Sequence, residues 1–262
     1  MTSDDLLSLQ RSDLPLRLLL ERAGRVFRSQ FPNDSGNDCF GVACDAGRFF
    51  VKHSDKPDRI AALHGVEQLY ARVDHPSLPP LRNGFATPEG YVLVFDWVDA
   101  EHYPLDAVRS RFEALPLEEK LRAFGTVLDL HVRLAEAGFV AEDLYDGCFL
   151  YDFDARRLYV CDLDEYHAGS FVLDRDRTFG STRFMAPEEW VRASTIDQRT
   201  NVYTLARVAA VLLGDRAGLP ESFCGTPIMQ AVIDRAIRDD PQDRFASVDA
   251  FARAWRDAAT PG

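Results

Sequence analysis

Cysteine is present but not organised for structure. The five residues Cys39, Cys44, Cys148, Cys161 and Cys224 include no CxxC pair and are odd in number, which speaks against a disulfide framework and a thiolate zinc site. That usage fits a reducing compartment, and a cytoplasmic location is expected. The six histidines show no pair at helical ligand spacing, so a histidine-built metal site is not expected; His131 reads as a packed helix residue. Basic charge is short as well. With 30 Lys and Arg against 42 Asp and Glu, the net charge is -12, so neither a nucleic acid nor a membrane is expected as a partner. No apolar stretch approaches membrane-spanning length. The apolar run 14–20 is interrupted by Pro15 and Arg17 and does not read as a signal peptide, and without one the Asn33-Asp34-Ser35 glycosylation match reads as accidental. A hydrolase lacks both a GxSxG elbow and a Ser/His/Asp arrangement.

What is present is a change of character along the chain. Residues 25–53 alternate apolar and polar positions around Val26, Phe27 and Phe31, then Cys39-Phe-Gly-Val-Ala and Phe49-Phe-Val-Lys52, which predicts a small antiparallel sheet. Ile60, Leu63, Val66, Leu69, Tyr70 and Val73 form a helical stripe that His75-Pro76 ends. A further strand pair is expected around Gly84-Phe-Ala and Tyr91-Val-Leu-Val-Phe95. Beyond residue 98, helical patterns dominate at 117–136, 201–213, 228–238 and 248–258. An α+β protein in two lobes sharing a cleft is therefore expected, with an N-terminal extension over 1–24, a β-rich part over 25–98 and a mainly helical part over 99–262.

Two acidic loop ends flank one short hairpin. Phe149-Leu-Tyr and Leu158-Tyr-Val-Cys read as its strands and Asp152–Arg156 as its turn, so Asp143 and Asp162 are expected near each other. A carboxylate beside a nucleophilic hydroxyl, with a second one on a divalent metal, is what phosphoryl transfer from a nucleotide requires. Lys52 ends an apolar strand that would bury its stem and present its ammonium to phosphate; taken alone, it reads as a strand-end lysine in solvent. Gly36 and Gly41 keep the outer glycines of a GxGxxG spacing, with Asp38 at its centre, or they mark an ordinary hairpin turn. Glu67 fits a partner for Lys52 or an exposed helix carboxylate.

The stretch Gly180-Ser-Thr-Arg-Phe-Met185-Ala-Pro-Glu188 resembles the end of a protein kinase activation segment. That resemblance implies a kinase-like fold with a small antiparallel β N-lobe and a mainly helical C-lobe, and it orders the other pieces over residues 30–258. Lys52 is similar to the third-strand lysine and Glu67 to its helix partner. Asp143 resembles the catalytic-loop base and Asp162 the metal-binding aspartate of a DFG-type motif. Phe95-Asp96-Trp97-Val98 resembles the gatekeeper and hinge, where Asp96 and Val98 backbone groups would meet adenine. Asp240-Pro-Gln-Asp-Arg244-Phe resembles the segment whose arginine pairs with Glu188.

Several positions depart from that pattern. Ala141-Glu142-Asp143 replaces His-Arg-Asp, so no arginine precedes the base to receive an activation-loop phosphate. Tyr145 stands at a lysine position. Cys148 stands where the family has a metal-binding asparagine, and a thiol is a poor ligand for Mg²⁺. Asp164 and Asp146 are candidates to supply the missing oxygen, or else solvated loop acids. Asn201 replaces an aspartate that takes backbone donors from the catalytic loop, and its amide oxygen can still accept one such bond. Ser170, Thr178, Ser181 and Thr182 are phosphorylation candidates beside Arg175, Arg177 and Arg183, or else turn residues. The resemblance implies transfer of the ATP γ-phosphoryl to Ser or Thr of a protein, with ATP and Mg²⁺ as cofactors and a protein substrate or regulatory protein as partner. A pseudokinase that binds nucleotide or a partner, and a small-molecule kinase, are the alternatives.

Overall fold

The computed structural model describes residues 5–30 and 36–260, so Phe31 and the tripeptide at 33–35 lie outside the described residues. The protein is α+β, with an antiparallel sheet and several helices, and divides into two compact units: Met1–Asp74 with Leu78–Asp99, and His75–Ser77 with Ala100–Gly262.

The first unit begins with helices α1 (Asp5–Ser8) and α2 (Leu16–Ala23) and continues through β1 (Arg25–Gln30), β2 (Asp38–Cys44), β3 (Gly47–Ser54), α3 (Pro57–Tyr70), β4 (Leu81–Ala86) and β5 (Tyr91–Asp96). The strands make one antiparallel sheet in the order β1-β2-β3-β5-β4. Strand alternation sends Phe40, Val42, Phe49, Val51, Val92 and Val94 to one face and Phe50, Lys52, Leu93 and Phe95 to the other. Leu63 and Val66 of α3 cover the second face. The first is covered by the residues before 25. Leu16, Leu19, Leu20 and Ala23 recur at helical spacing and bury one side of α2 against the sheet, together with Leu6. Pro15, read from sequence as an interruption, caps the start of this helix, and Arg17 lies on its exposed side. The helix is tied by its first turn, where the Leu16 N–H donates to Glu89 Oε2 at 3.1 Å. Asn83 Nδ2 donates to Leu6 O and Leu9 O, and the Ser12 N–H to Ala86 O, so the segment expected as an extension is part of this unit's core.

The second unit contains β6 (Glu101–His102), α4 (Asp106–Glu113), α5 (Leu117–Glu136), β7 (Phe139–Ala141), β8 (Phe149–Asp152), β9 (Arg157–Val160), β10 (Tyr166–Ala168), β11 (Phe171–Val172), β12 (Thr195–Ile196), α6 (Gln198–Leu212), α7 (Pro227–Ala236) and α8 (Val248–Ala259). Three small antiparallel sheets, β6-β8-β9, β7-β10 and β11-β12, lie among the helices. The core is helical: Phe124 of α5 meets Trp255 of α8 edge to face at 4.8 Å, and α6 is buried nearly all round. Side-chain caps fix the helix starts, with Asp197 accepting from the Arg199 N–H, Thr226 from Met229 and Ser247 from Ala250. Among the described residues no helix is long and apolar enough to cross a membrane.

Candidate functional site

In the first unit Lys52 lies on β3 opposite Cys39 on one side and Leu93 on the other, and its side chain is buried. Register carries the row on to Gly84 of β4, so Lys52, Leu93 and Gly84 share the face that α3 covers. Glu67 reaches that face from α3. Its Oε2 accepts from the Tyr91 hydroxyl at 2.9 Å and pairs with His64 Nδ1 at 3.0 Å, while a Cβ at position 84 would overlap its Oε1. Gly84 is thus the residue that lets the carboxylate lie flat on the sheet. Burial and the Glu67 charge together push the Tyr91 hydroxyl far up from its ordinary value.

The glycine spacing has a packing cause at one end. Gly41 sits inside β2, where a Cβ would lie 2.8 Å from the Phe27 ring and 3.0 Å from Trp97, two rings that meet edge to face at 4.9 Å. A side chain there is excluded by those rings. Gly36 has a left-handed backbone (φ 75°), and a Cβ on it would meet Lys56 Nζ at 2.6 Å. At the hinge-like stretch Asp96 is gripped by Arg82 at 2.7 Å, its N–H donates to Pro80 O, and the Trp97 N–H donates to Arg48 O. Val98 follows two residues after β5 ends.

In the second unit the β8–β9 hairpin forms with the expected strands, and it brings the two aspartate loops together. Cys161 N–H donates to Cys148 O at 2.9 Å, and Cys148 Sγ donates to Asp143 O at 3.3 Å. Asp143 and Asp162 both adopt left-handed backbone conformations, φ 62° and 64°. Such conformations are uncommon outside glycine and gather at functional sites. Asp143 Oδ1 is buried and receives no hydrogen bond from a described residue. Burial first, then the charges of Asp162, Glu165, Glu142 and Asp164, push the Asp143 carboxyl up to about 7. Gly180, with φ 122°, faces this group: a Cβ there would lie 3.2 Å from Asp143 Oδ1. Cys148 is buried, and its thiol is pushed well up by burial and by Asp162, so it stays protonated.

Asp146, a metal candidate from sequence, is paired in the structure with an arginine. It is buried, and both its oxygens accept from Arg183 Nη2 at 2.8 Å, which commits its charge to the segment at 180–183. Among the described residues no three His, Cys, Asp or Glu side chains come together as a metal-holding group. The carboxylates whose charge acts on Asp143 are those of Asp162, Glu165, Glu142 and Asp164.

Glu142 is the feature that sequence reading missed. The departure from His-Arg-Asp registers as a lost arginine, yet the replacing carboxylate is a buried hub. It pairs with Arg175, accepts the Phe179 N–H at 2.7 Å and pairs with His167 at 2.8 Å. Burial raises its pKa, but His167, the Phe179 N–H and Arg175 outweigh burial and hold it below the usual range. The segment after Asp162 is thereby anchored on a carboxylate. Other anchors continue it. Thr178, one of the phosphorylation candidates, is buried and donates to Glu189 Oε1 at 2.9 Å. Arg244 forks onto Glu188 at 2.7 and 2.8 Å, and its remaining donors reach the carbonyls of Arg238, Arg199 and Asp239, so all five N–H groups are used in a fully buried position. Asn201 accepts the Ala141 N–H at 2.8 Å and donates to Ala141 O at 2.7 Å, fixing the strand that leads into Glu142 and Asp143. His131 is buried between Val127 O and the Tyr166 hydroxyl, and burial lowers its pKa to about 4. Neither a family model nor a curated sequence matches the chain.

Proposed function

We propose that the protein is a divergent protein-kinase-like enzyme that transfers the γ-phosphoryl group of ATP to a Ser or Thr hydroxyl of a protein. The observation that carries this reading is Asp143. Its left-handed backbone, its Oδ1 without a donor and a carboxyl raised to about 7 suit a base that orients a hydroxyl and takes its proton near neutral pH. In this reading Lys52 contacts the α- and β-phosphates and Glu67 restrains the sheet face from which Lys52 extends. Glu188 with Arg244, and Asn201 with Ala141, keep the loops around Asp143 in one arrangement.

Mg²⁺ commonly binds through one or two carboxylates plus substrate phosphates rather than in an all-protein cage. Asp162 and Asp164 fit that modest requirement; Asp146, held by Arg183, and the protonated Cys148 do not. A bound Mg²⁺ would supply neutralisation of phosphate charge. The protein's own part is positioning, with Glu142 anchoring Arg175 and the Phe179 N–H so that Gly180 lies against Asp143.

Incorporation of labelled phosphate from ATP into a mixture of candidate proteins, compared with Asp143→Asn, tests the reading. Transfer by the wild type and its loss in the variant is expected; equal signal in both contradicts it. A second reading, a pseudokinase that binds nucleotide or a protein without turnover, is favoured by one observation: the thiol at the asparagine position is turned to Asp143 O. ATP binding without incorporation would identify that case.

A further inference from the structure

The acidic chain carries its arginines unevenly. Residues 175–216 hold seven arginines against five carboxylates between 176 and 215 and the flanking Asp174, and three of these arginines, Arg183, Arg207 and Arg216, are connected by hydrogen bonds through the carbonyls of Arg183 and Arg216. Arg177 is exposed, lies 5.1 Å from the Trp190 ring and, among the described residues, donates to the carbonyls of Thr178 and Gly180, each at 3.3 Å. Arg207 donates to the carbonyls of Arg183, Ala217 and Gly218 at 3.0, 2.8 and 3.4 Å. A carbonyl satisfies an N–H but does not cancel a charge, so both guanidinium groups keep theirs. Arg183 is neutralised by Asp146 and also donates to Arg216 O at 2.7 Å. Arg216 is exposed, and the neighbouring Asp215 carboxylate is turned to the Ala217 and Leu219 N–H groups.

The cluster reaches the loop of Asp143 through Gly180 and Asp146. Gly180, whose carbonyl takes Arg177, faces Asp143 Oδ1, and Asp146, which takes Arg183, comes three residues after Asp143. Asp162, Glu165, Glu142 and Asp164 add negative charge around Asp143. Uncancelled cations on a low-dielectric surface attract and orient the opposite charge, and a guanidinium fork matches a carboxylate in shape. Trp190 and Phe179, each 43% exposed, add apolar surface on the same segment.

We propose that this face receives an acidic peptide segment, so that the phosphorylated Ser or Thr is flanked by Asp and Glu. The inference rests on the kinase-like reading above for its chemistry, but its binding step is tested without nucleotide. Fluorescence anisotropy on the full chain compares three labelled peptides with a central Ser: Asp/Glu flanks, Asn/Gln flanks and Lys/Arg flanks. The acidic peptide is expected to bind tightest, with affinity falling as salt is added. Arg177→Gln and Arg216→Gln, both exposed, are each expected to weaken it about 2–5-fold, with unchanged melting temperature. Equal binding of the three peptides, tighter binding of single-stranded DNA than of the acidic peptide, or full affinity in the Arg177→Gln/Arg216→Gln double variant would overturn the proposal. Acidic-peptide selectivity in a chain that transfers no phosphate would leave the proposal standing and remove only the catalytic reading. Equal transfer to acidic and neutral peptides would do the reverse.

Discussion

Replacing Asp143 by Asn leaves the shape of the side chain and deletes its charge, and the consequence for stability depends on pH in a definite direction. Burial and the charges of Asp162, Glu165, Glu142 and Asp164 raise the folded-state pKa from 3.8 to about 7. A carboxyl raised in this way favours the folded state when protonated. That contribution is fully present below the unfolded value near 3.8 and is lost as pH climbs through about 7. At about 1.4 kcal/mol per pKa unit, the charged form costs the native protein at most about 4 kcal/mol at pH 8 and nothing near pH 4. Asp143→Asn should therefore be more stable than the wild type at pH 8, by about 2–4 kcal/mol, with the gain shrinking across the window and vanishing near pH 4. Urea unfolding followed by tryptophan fluorescence at several pH values measures this difference. A gain that is the same at both ends of the range, or a loss at pH 8, would refute the reasoning.

Removing the buried Arg244 strands the Glu188 carboxylate and takes a donor from the carbonyls of Arg238, Arg199 and Asp239, so Arg244→Ala should cost about 3–5 kcal/mol; an unchanged melting temperature would contradict the pairing. Glu142→Gln removes the charge that holds Arg175 and His167, and amide hydrogen exchange at 171–180 should quicken while the Asp143 carboxyl shifts downward by NMR, since Glu142 is one of the charges that raise it. Unaltered exchange would mean that Glu142 is not the anchor. Asn201→Ala leaves the buried N–H and C=O of Ala141 without their partner and should cost about 1–3 kcal/mol per group, seen as a lower urea midpoint.

Much of the fold is written in short-range pattern. The stripe in α5 and the alternation in β2, β3 and β5 are legible because each buries one face, and burial imposes its period on the sequence. Helix α2 was hidden by Pro15 and Arg17, which read as interruptions but stand at a helix start and on an outward face, places where each is well tolerated. The nearness of Asp143 and Asp162 was legible because one short hairpin lies between their loops. The site was illegible where meaning lies in a distant partner: no local mark tells that Asp146 meets Arg183, that Glu142 meets Arg175, or that Gly41 makes room for Phe27 and Trp97.

The most direct test of the proposed function is ATP affinity by calorimetry, with and without Mg²⁺, for the wild type, Lys52→Met and Asp162→Asn. Mg²⁺-dependent binding by the wild type is expected, weakened about tenfold or more in each variant for the loss of a charge-assisted contact to phosphate or metal. No ATP binding by the folded wild type, or equal binding by all three proteins whether or not Mg²⁺ is present, would contradict it.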